Sequence, residues 1–261
     1  MRVLRDRGVE VVALARATAR TERLEDAGAH VVRGDIGEPG RWASRAHDAD
    51  VVFHVGLPRL VPPIRRRHLA RAVREAVAGA EVLRGIGGDR PLVMASCALE
   101  GPDGTLDLAR PARAAEQVLP SSAARIVRLP WAYGPSGFIC DISRGLQMQR
   151  FRMVGPASNR IALVSARDAA AALAASAAAP PGTYVVAEDD HPTQEDMVAL
   201  ICRARGATRP DHLPPAMARL SMGSVVVQAL IADQRVVPRP PPGFACADHW
   251  EKDMMPALGG G

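Results

Sequence analysis

The feature that most constrains the fold is an alternation of short apolar runs with helical segments through the first half of the chain. Apolar runs with the character of buried strands lie at residues 9–14, 30–32, 50–55, 90–96 and 124–129. Helical patterns separate them, and the longest repeats its apolar residues at spacings of three and four. Nearly continuous apolar strands that alternate with helices are typical of a parallel sheet covered on both faces. The sequence therefore predicts an α/β, doubly wound fold.

The second half of the chain has a looser pattern. It predicts further elements, namely strands at 161–164 and 183–187, a helix from Asp168 and a helix from Thr193 to about Arg205. Asp168 is expected to cap its helix, and Gly206 is expected to end the next one. We expect residues 1–134 to form the sheet domain. Residues 135–261 are expected to form a smaller lobe, interleaved with the last strands of the sheet.

Composition and charge argue against several classes of protein. The chain of 261 residues has a formal net charge of +5, but only 3% of its residues are aromatic, so few side chains can stack on bases. The alanine-rich stretch 169–182 is short of a membrane span and has Pro180 and Pro181 near its end. The four cysteines are far apart and lack metal-ligand spacing, which favours free thiols in a reducing compartment. We expect a cytoplasmic protein without a metal, and with neither nucleic acid nor a membrane as its partner.

Residues 34–40, GDIGEPG, have the glycine spacing of a dinucleotide-binding loop but not its chemistry. Asp35 and Glu38 would place two carboxylates beside a pyrophosphate. Pro39 lacks the backbone N–H that such a loop supplies at each position. The stretch also follows the second apolar run of the chain. It is therefore predicted not to hold phosphates.

Residues at the carboxyl ends of the predicted strands are candidate ligand contacts, because doubly wound sheets bind their ligands there. Ser96 lies at such an end, where it either touches a substrate or caps the strand. Arg16 also lies at such an end, where it either touches a ligand or is one of many surface arginines. Gly56 permits a close backbone approach to a cofactor, or forms an ordinary turn.

Several motifs become informative when they are taken together. The chain carries FHVG at 53–56, ASCALEG at 95–101, RAAE at 113–116, RLPWAYGP at 128–135, LVSARD at 163–168 and GTYVV at 182–186. In this order and spacing, residues 1 to about 210 resemble the extended short-chain dehydrogenase/reductase family, the NAD(P)-dependent epimerase/dehydratase group.

The resemblance implies a Rossmann-like parallel sheet with a small C-terminal substrate lobe, and often a homodimer. It implies NAD or NADP as the cofactor, with Asp35 and Ile36 at the adenine ring and with Gly56 and Pro130 among the cofactor contacts. Arg16 lies where the family distinguishes NADP from NAD, and its guanidinium would suit a 2′-phosphate. In the family, a tyrosine within a YxxxK motif acts as acid and base in a hydride transfer on a hydroxylated substrate. A serine or threonine assists it, and this chain has Ser96 at that position.

The first departure from the family concerns the sheet. Residues 1–8 are predicted to be the end of a helix, so the family's first strand and its glycine loop have no counterpart in the chain as given. In the strand order 3-2-1-4-5-6 that strand is central, and its neighbours would each be left with an unpaired edge. We expect a start site assigned too far downstream or a cropped chain, with another segment filling the gap as the alternative. Binding of NADP or NAD by the chain as given is therefore not favoured.

The second departure concerns the redox dyad. Aligning RAAE with the lysine-bearing helix of the family puts Arg113 at the lysine and Ala109 at the tyrosine. No tyrosine of the chain is followed by a lysine four residues later, so there is no YxxxK. Alanine cannot transfer a proton, and arginine stays charged near neutrality. Tyr133 either packs in its turn or serves as a substitute acid.

These observations predict a pocket that has kept its polar contacts and lost its redox chemistry. We expect isomerisation, dehydration or cyclisation of a small hydroxylated, sugar-like or polyketide-like substrate, with Ser96, Arg113 and Tyr133 as catalytic residues. The arginine-rich and alanine-rich composition is typical of GC-rich genomes, where such variants serve secondary metabolism. Two alternatives stay open. One is an NADP-dependent oxidoreductase whose glycine loop lies upstream, and the other is a non-catalytic nucleotide sensor or partner-binding protein.

Overall fold

The architecture is α/β, with parallel strands that alternate with helices through the first half of the chain. The computed structural model describes residues 1–58, 60–88 and 90–259. The strands are β1 Val12–Ala15, β2 His30–Arg33, β3 Val52–His54, β4 Leu92–Cys97, β5 Glu100–Gly101, β6 Gly104–Thr105, β7 Ala124–Leu129, β8 Trp131–Tyr133, β9 Met153–Val154, β10 Leu163–Ser165, β11 Gly182–Val185 and β12 His212–Leu213. The helices are α1 Arg2–Arg5, α2 Glu22–Asp26, α3 Arg41–Asp48, α4 Arg66–Gly87, α5 Arg110–Glu116, α6 Phe138–Gln147, α7 Ala166–Ser176, α8 Gln194–Arg205, α9 Pro215–Met222, α10 Ser224–Ile231 and α11 Trp250–Ala257.

The principal sheet is parallel and has the strand order β11-β7-β4-β3. Its two faces are covered by different helices. Met94 packs with residues of α4 and α5 on one face, and Val93 and Val127 pack with residues of α7 on the other. The predicted parallel sheet with helices on both faces is confirmed.

A separate parallel pair is formed by β1 and β2, in register from Val12 opposite His30 to Ala15 opposite Arg33. Within the described residues, β1 is paired with β2 alone and β3 with β4 alone, so one edge of each strand has no strand partner. The helices nevertheless continue over both sheets, because α1 packs against α7 and α3 packs against α4. The parallel architecture is thus interrupted between β1 and β3, in agreement with the predicted break.

The second half of the chain surrounds a core of its own. The helices α6, α8 and α11 contribute its buried residues, among them Ile139, Leu146, Met197, Ile201 and Met254. Short strands pair β8 with β10, β9 with β12 and β5 with β6. The proposed division between residues 134 and 135 stays a prediction. No helix of the described ranges combines the length and the apolar character needed to cross a bilayer.

Helix ends show where local sequence signals suffice and where they do not. Helix α8 begins after Thr193, whose Oγ1 accepts a hydrogen bond from the backbone N–H of Asp196 at 3.1 Å, and it ends at Gly206 in the left-handed conformation. The predicted cap of α7 was wrong. Ser165 is the N-cap, because its Oγ accepts the N–H of Asp168 at 2.9 Å. The Asp168 carboxylate instead accepts the N–H groups of residues 247 and 248.

Replacing Thr193 by alanine is expected to lower the free energy of unfolding by about 1 kcal/mol, because the first turn of α8 loses its capping hydroxyl. Urea unfolding followed by circular dichroism measures the change. Thr18→Ala, at an exposed turn position, is the matched control and should leave the midpoint in place. Equal effects of the two substitutions would contradict the capping role.

Candidate functional site

A cluster of polar side chains lies at the carboxyl ends of β4 and β7. The apolar run of β4 ends in Ser96, which faces the same side of the sheet as Met94 and therefore points towards α5. The register of the two strands places Ser96 opposite Arg128. Helix α5 brings Arg113 and Glu116 to the same place, since residues three apart share a helix face. We call Ser96, Arg113, Glu116 and Arg128, together with Glu100, the strand-end cluster.

The carboxylate of Glu116 is the centre of the strand-end cluster. Ser96 Oγ donates a hydrogen bond to its Oε1. Arg128 donates from Nη2 to Oε2 at 2.6 Å and from Nε to Oε1 at 3.1 Å. Arg113 places Nη1 at 3.5 Å from Oε2, and its Nη2 is bonded to the carboxylate of Glu100. The Glu116 side chain is only 9% exposed, so these bonds replace most of its solvation.

The protonation state of Glu116 reflects opposing effects. Burial raises the pKa of Glu116, whereas the hydrogen bond from Ser96 and the charge of Arg113 act in the opposite direction. A serine hydroxyl has a single proton to donate, and here it is committed to Glu116. Ser96 Oγ therefore offers only lone pairs to a further partner. A hydroxyl backed by a carboxylate is suited to accept and return a proton, which is acid–base chemistry.

Cys97 follows Ser96 but is not prepared for nucleophilic attack. Burial raises the pKa of the Cys97 thiol to about 11. The thiolate is the reactive form of cysteine, and such a pKa leaves little of it near neutrality.

Sequence reasoning found Ser96 and Arg113 but missed the group that joins them. The spacing of Arg113 and Glu116 in RAAE was visible as a helical pair. The contact from Glu116 to Ser96 spans 20 residues, and the contact to Arg128 spans 12. Neither contact has a local sequence signal. The pairing depends on how α5 is laid across the ends of two strands.

Tyr133 lies elsewhere. It is completely buried and packs in the core of the second half with Ile139 and Leu146. Its hydroxyl faces the Glu188 carboxylate without a hydrogen bond of normal geometry. Burial, together with Glu188, raises the pKa of Tyr133. Its packing places Tyr133 in this core and not in the strand-end cluster. The role of Tyr133 as a substitute acid stays a prediction.

The residues predicted to contact a cofactor lie partly at the ends of β1 and β2 and partly after β3 and β7. Arg16 and Asp35 come together at the ends of β1 and β2, with Nε at 3.4 Å from Oδ2 and both side chains largely exposed. The Ile36 side chain packs against α4 at Gly79. Gly56 is exposed after β3, and Pro130 is buried between β7 and β8. The contacts of these residues with a cofactor stay predictions.

The described residues fit one end of a dinucleotide and not the other. The exposed Arg16 guanidinium and Asp35 carboxylate offer polar groups to an adenosine that carries a 2′-phosphate. Within GDIGEPG, the N–H of Gly37 is already bonded to Asp35 Oδ1 at 2.9 Å, and Pro39 has none. Glu38 adds a negative charge to that loop. The loop therefore does not fit a pyrophosphate.

Comparison with known proteins identifies the fold. No family model matches the chain, and no curated protein matches its sequence. Among solved structures, the human epimerase family protein SDR39U1 with NADPH is 15% identical, with a TM-score of 0.74 over 95% of this chain and 99% of that one. MoeE5 in complex with UDP-glucuronic acid and NAD is 18% identical, with a TM-score of 0.73 over 98% and 92%. TunA, an NAD-dependent NDP-hexosamine 5,6-dehydratase involved in tunicamycin biosynthesis, is 17% identical, with a TM-score of 0.67 over 82% and 79%. The chain has the Rossmann-type fold of SDR-type epimerases and dehydratases, as the sequence motifs predicted.

Replacing Ser96 by alanine is expected to raise the pKa of Glu116 further, because the charged carboxylate loses a hydrogen bond that favours it. A pH titration of the Glu116 carboxyl carbon by ¹³C NMR measures both values. Ser44→Ala, which removes an exposed hydroxyl of α3, is the control and should leave the Glu116 titration unchanged. A lowered pKa in Ser96→Ala would show that the hydroxyl does not stabilise the carboxylate.

The raised pKa of Glu116 in the unmodified protein predicts how its free energy of unfolding depends on pH. The folded-state pKa of Glu116 lies above its unfolded value, which is about 4.3. Its contribution to stability is therefore fully present below the unfolded pKa and is lost as the pH rises through the folded-state pKa. Relative to Glu116→Gln, the wild-type chain should lose free energy of unfolding over that pH interval. Urea unfolding at a series of pH values tests the sign, and a difference that grows with pH in favour of the wild type would contradict it.

Proposed function

We propose that the protein is a small-molecule enzyme that carries out a non-redox acid–base reaction, namely an isomerisation, dehydration or cyclisation. The observation that carries this proposal is the hydrogen bond from Ser96 to the buried carboxylate of Glu116, which is held by Arg113 and Arg128. The cluster lies where doubly wound sheets bind their ligands, outside the carboxyl ends of the strands.

The proposed proton path uses groups of this chain alone. A substrate hydroxyl donates its hydrogen bond to the lone pairs of Ser96 Oγ. Its proton passes to Ser96 as the Ser96 proton passes to Glu116 Oε1, which leaves a neutral carboxyl group and an alkoxide. In a cyclisation, the alkoxide forms a bond to an electrophilic atom of the same substrate, and the bond from that atom to its leaving group breaks. The proton then returns from Glu116 through Ser96 to the leaving group, which restores both residues. Arg113 and Arg128 hold the carboxylate in place throughout, so they act as positioning residues in this scheme.

The proposed substrate is a sugar-like or otherwise hydroxylated small molecule. Support comes from the neighbours in structure, since MoeE5 was solved with UDP-glucuronic acid and TunA is a dehydratase of an NDP-hexosamine. TunA is also involved in the biosynthesis of tunicamycin, which is in keeping with a role in secondary metabolism. We further propose that the protein acts in the cytoplasm as a homodimer.

A second candidate function is nucleotide binding without catalysis. It is favoured by the Arg16–Asp35 pair, which leaves both side chains accessible at the ends of β1 and β2. In this alternative, the strand-end cluster only stabilises the fold. Catalysis and binding are separable by experiment, because the two groups of residues lie on different sheets.

Ser96→Ala and Glu116→Gln are each expected to reduce turnover by about 10²-fold, since each removes one part of the proton path. Arg113→Ala should reduce turnover less, because Arg128 still holds the carboxylate. UDP-glucose and UDP-glucuronic acid are incubated with the protein without added cofactor, and products are detected by ¹H NMR.

The matched controls for turnover are Ser44→Ala and Arg45→Ala on the exposed side of α3, which should retain full turnover. Turnover that survives both Ser96→Ala and Arg113→Ala would remove the strand-end cluster as the site. A complete absence of turnover with both sugar nucleotides would contradict the proposed substrate class.

Titration calorimetry with NADP and NAD is expected to show no tight binding, because the described residues supply no pyrophosphate cradle. Any weak binding of NADP should be lost in Arg16→Ala and retained in Arg20→Ala, an exposed arginine that follows β1. Tight binding of either dinucleotide to the chain as given would overturn the conclusion about the GDIGEPG loop.

A further inference from the structure

A small cavity lies where α6, α8 and α10 meet β8, outside the strand-end cluster. Most of the residues in its wall are apolar. They include Trp131 and Phe138, whose ring centroids are 4.7 Å apart. Three polar side chains also line it, namely Asn159, Gln194 and Gln234. The space open to the centre of a water-sized sphere is ≈ 10 Å³. That is about the room required by a single water molecule.

Two glutamines that line this cavity each have a side-chain oxygen without a hydrogen-bond partner among the described residues. Gln194 and Gln234 are each 1% exposed, and Oε1 of each has no partner among the described residues. The orientation of the Gln234 amide is set by its Nε2, which donates to the carbonyl of Ala229 at 2.9 Å. A buried amide oxygen without a donor destabilises the fold. Two of them beside one cavity point to an occupant that supplies donors.

The backbone N–H groups of the two glutamines are bonded to the carbonyls of two adjacent residues. The N–H of Gln194 donates to the carbonyl of Asn159 at 3.0 Å, and the N–H of Gln234 donates to the carbonyl of Arg160 at 3.0 Å. Asn159 cannot supply the glutamine oxygens, because its side-chain N–H₂ is bonded to the carbonyls of Leu230 and Ala232. The side-chain N–H₂ groups of Asn159 and Gln234 are therefore already used.

We propose that the cavity binds one water molecule, which donates its two hydrogen bonds to Oε1 of Gln194 and Oε1 of Gln234. Water is the occupant that the chemistry selects, because it is neutral, has two protons to donate and fits the available space. An apolar molecule would leave both oxygens unpaired, and a larger ligand would exceed the room. The bound water links the first turn of α8 to the segment that follows α10.

A double-mutant cycle tests whether the two glutamines share this water. Gln194→Met and Gln234→Met keep the side-chain length and remove the amides. Either substitution removes one of the two oxygens that hold the water, so the second should shift the unfolding midpoint much less when the first is present. The bond from Gln234 to Ala229 is lost in both branches of the cycle and cancels. Additive shifts would overturn the proposal.

The control cycle combines Gln194→Met with Gln147→Met, an exposed glutamine of α6, and its shifts should add. A crystal structure of the unmodified chain decides the matter even if a variant does not fold. The expected result is one density peak within hydrogen-bond distance of both oxygens. An empty cavity among otherwise ordered waters, or density for a larger molecule, would overturn the proposal.

Discussion

The burial of the Glu116 carboxylate is the constraint on which the candidate site depends. A carboxylate removed from water is costly unless charged and polar partners replace its solvation. Ser96, Arg113 and Arg128 supply those partners from a strand end, a helix and a second strand end. One residue of α5 therefore fixes the position of the helix relative to β4 and β7. The same contacts bring a hydroxyl and a proton acceptor together.

The strand-end cluster inherits its geometry from the apolar core beneath it. Met94 and Ile126 pack against α4 and α5 two residues before Ser96 and Arg128 on their strands. Because side chains alternate along a strand, burying the first pair on the α5 face places the second pair on that face as well. A shift of register by one residue would move Ser96 to the other face. Packing and site geometry are thus set by the same alternation.

The sequence was sufficient where the signal was local. The strand at 124–129 and the ends of α8 at Thr193 and Gly206 were predicted where they occur. The strand predicted at 9–14 instead spans 12–15, because residues 9–11 form the irregular connection after the turn at 6–8, where the N–H of Val9 is bonded to the carbonyl of Leu4. Ser96 was predicted from a general rule about strand ends. The partners of Glu116 and Asp168 were not, because contacts across 20 and about 80 residues follow from packing rather than from spacing.

The interruption between β1 and β3 leaves strand edges that are relevant to self-association of this protein. In the part of the chain that the structure describes, each of these strands presents a row of backbone donors and acceptors without a strand partner. Exposed valines, Val12 on β1 and Val55 after β3, lie at or beside these rows. Such edges are templates for intermolecular β-pairing, which folded proteins usually block with charges, prolines or bulges. Two short backbone edges therefore join net charge among the features expected to govern the colloidal behaviour of this chain.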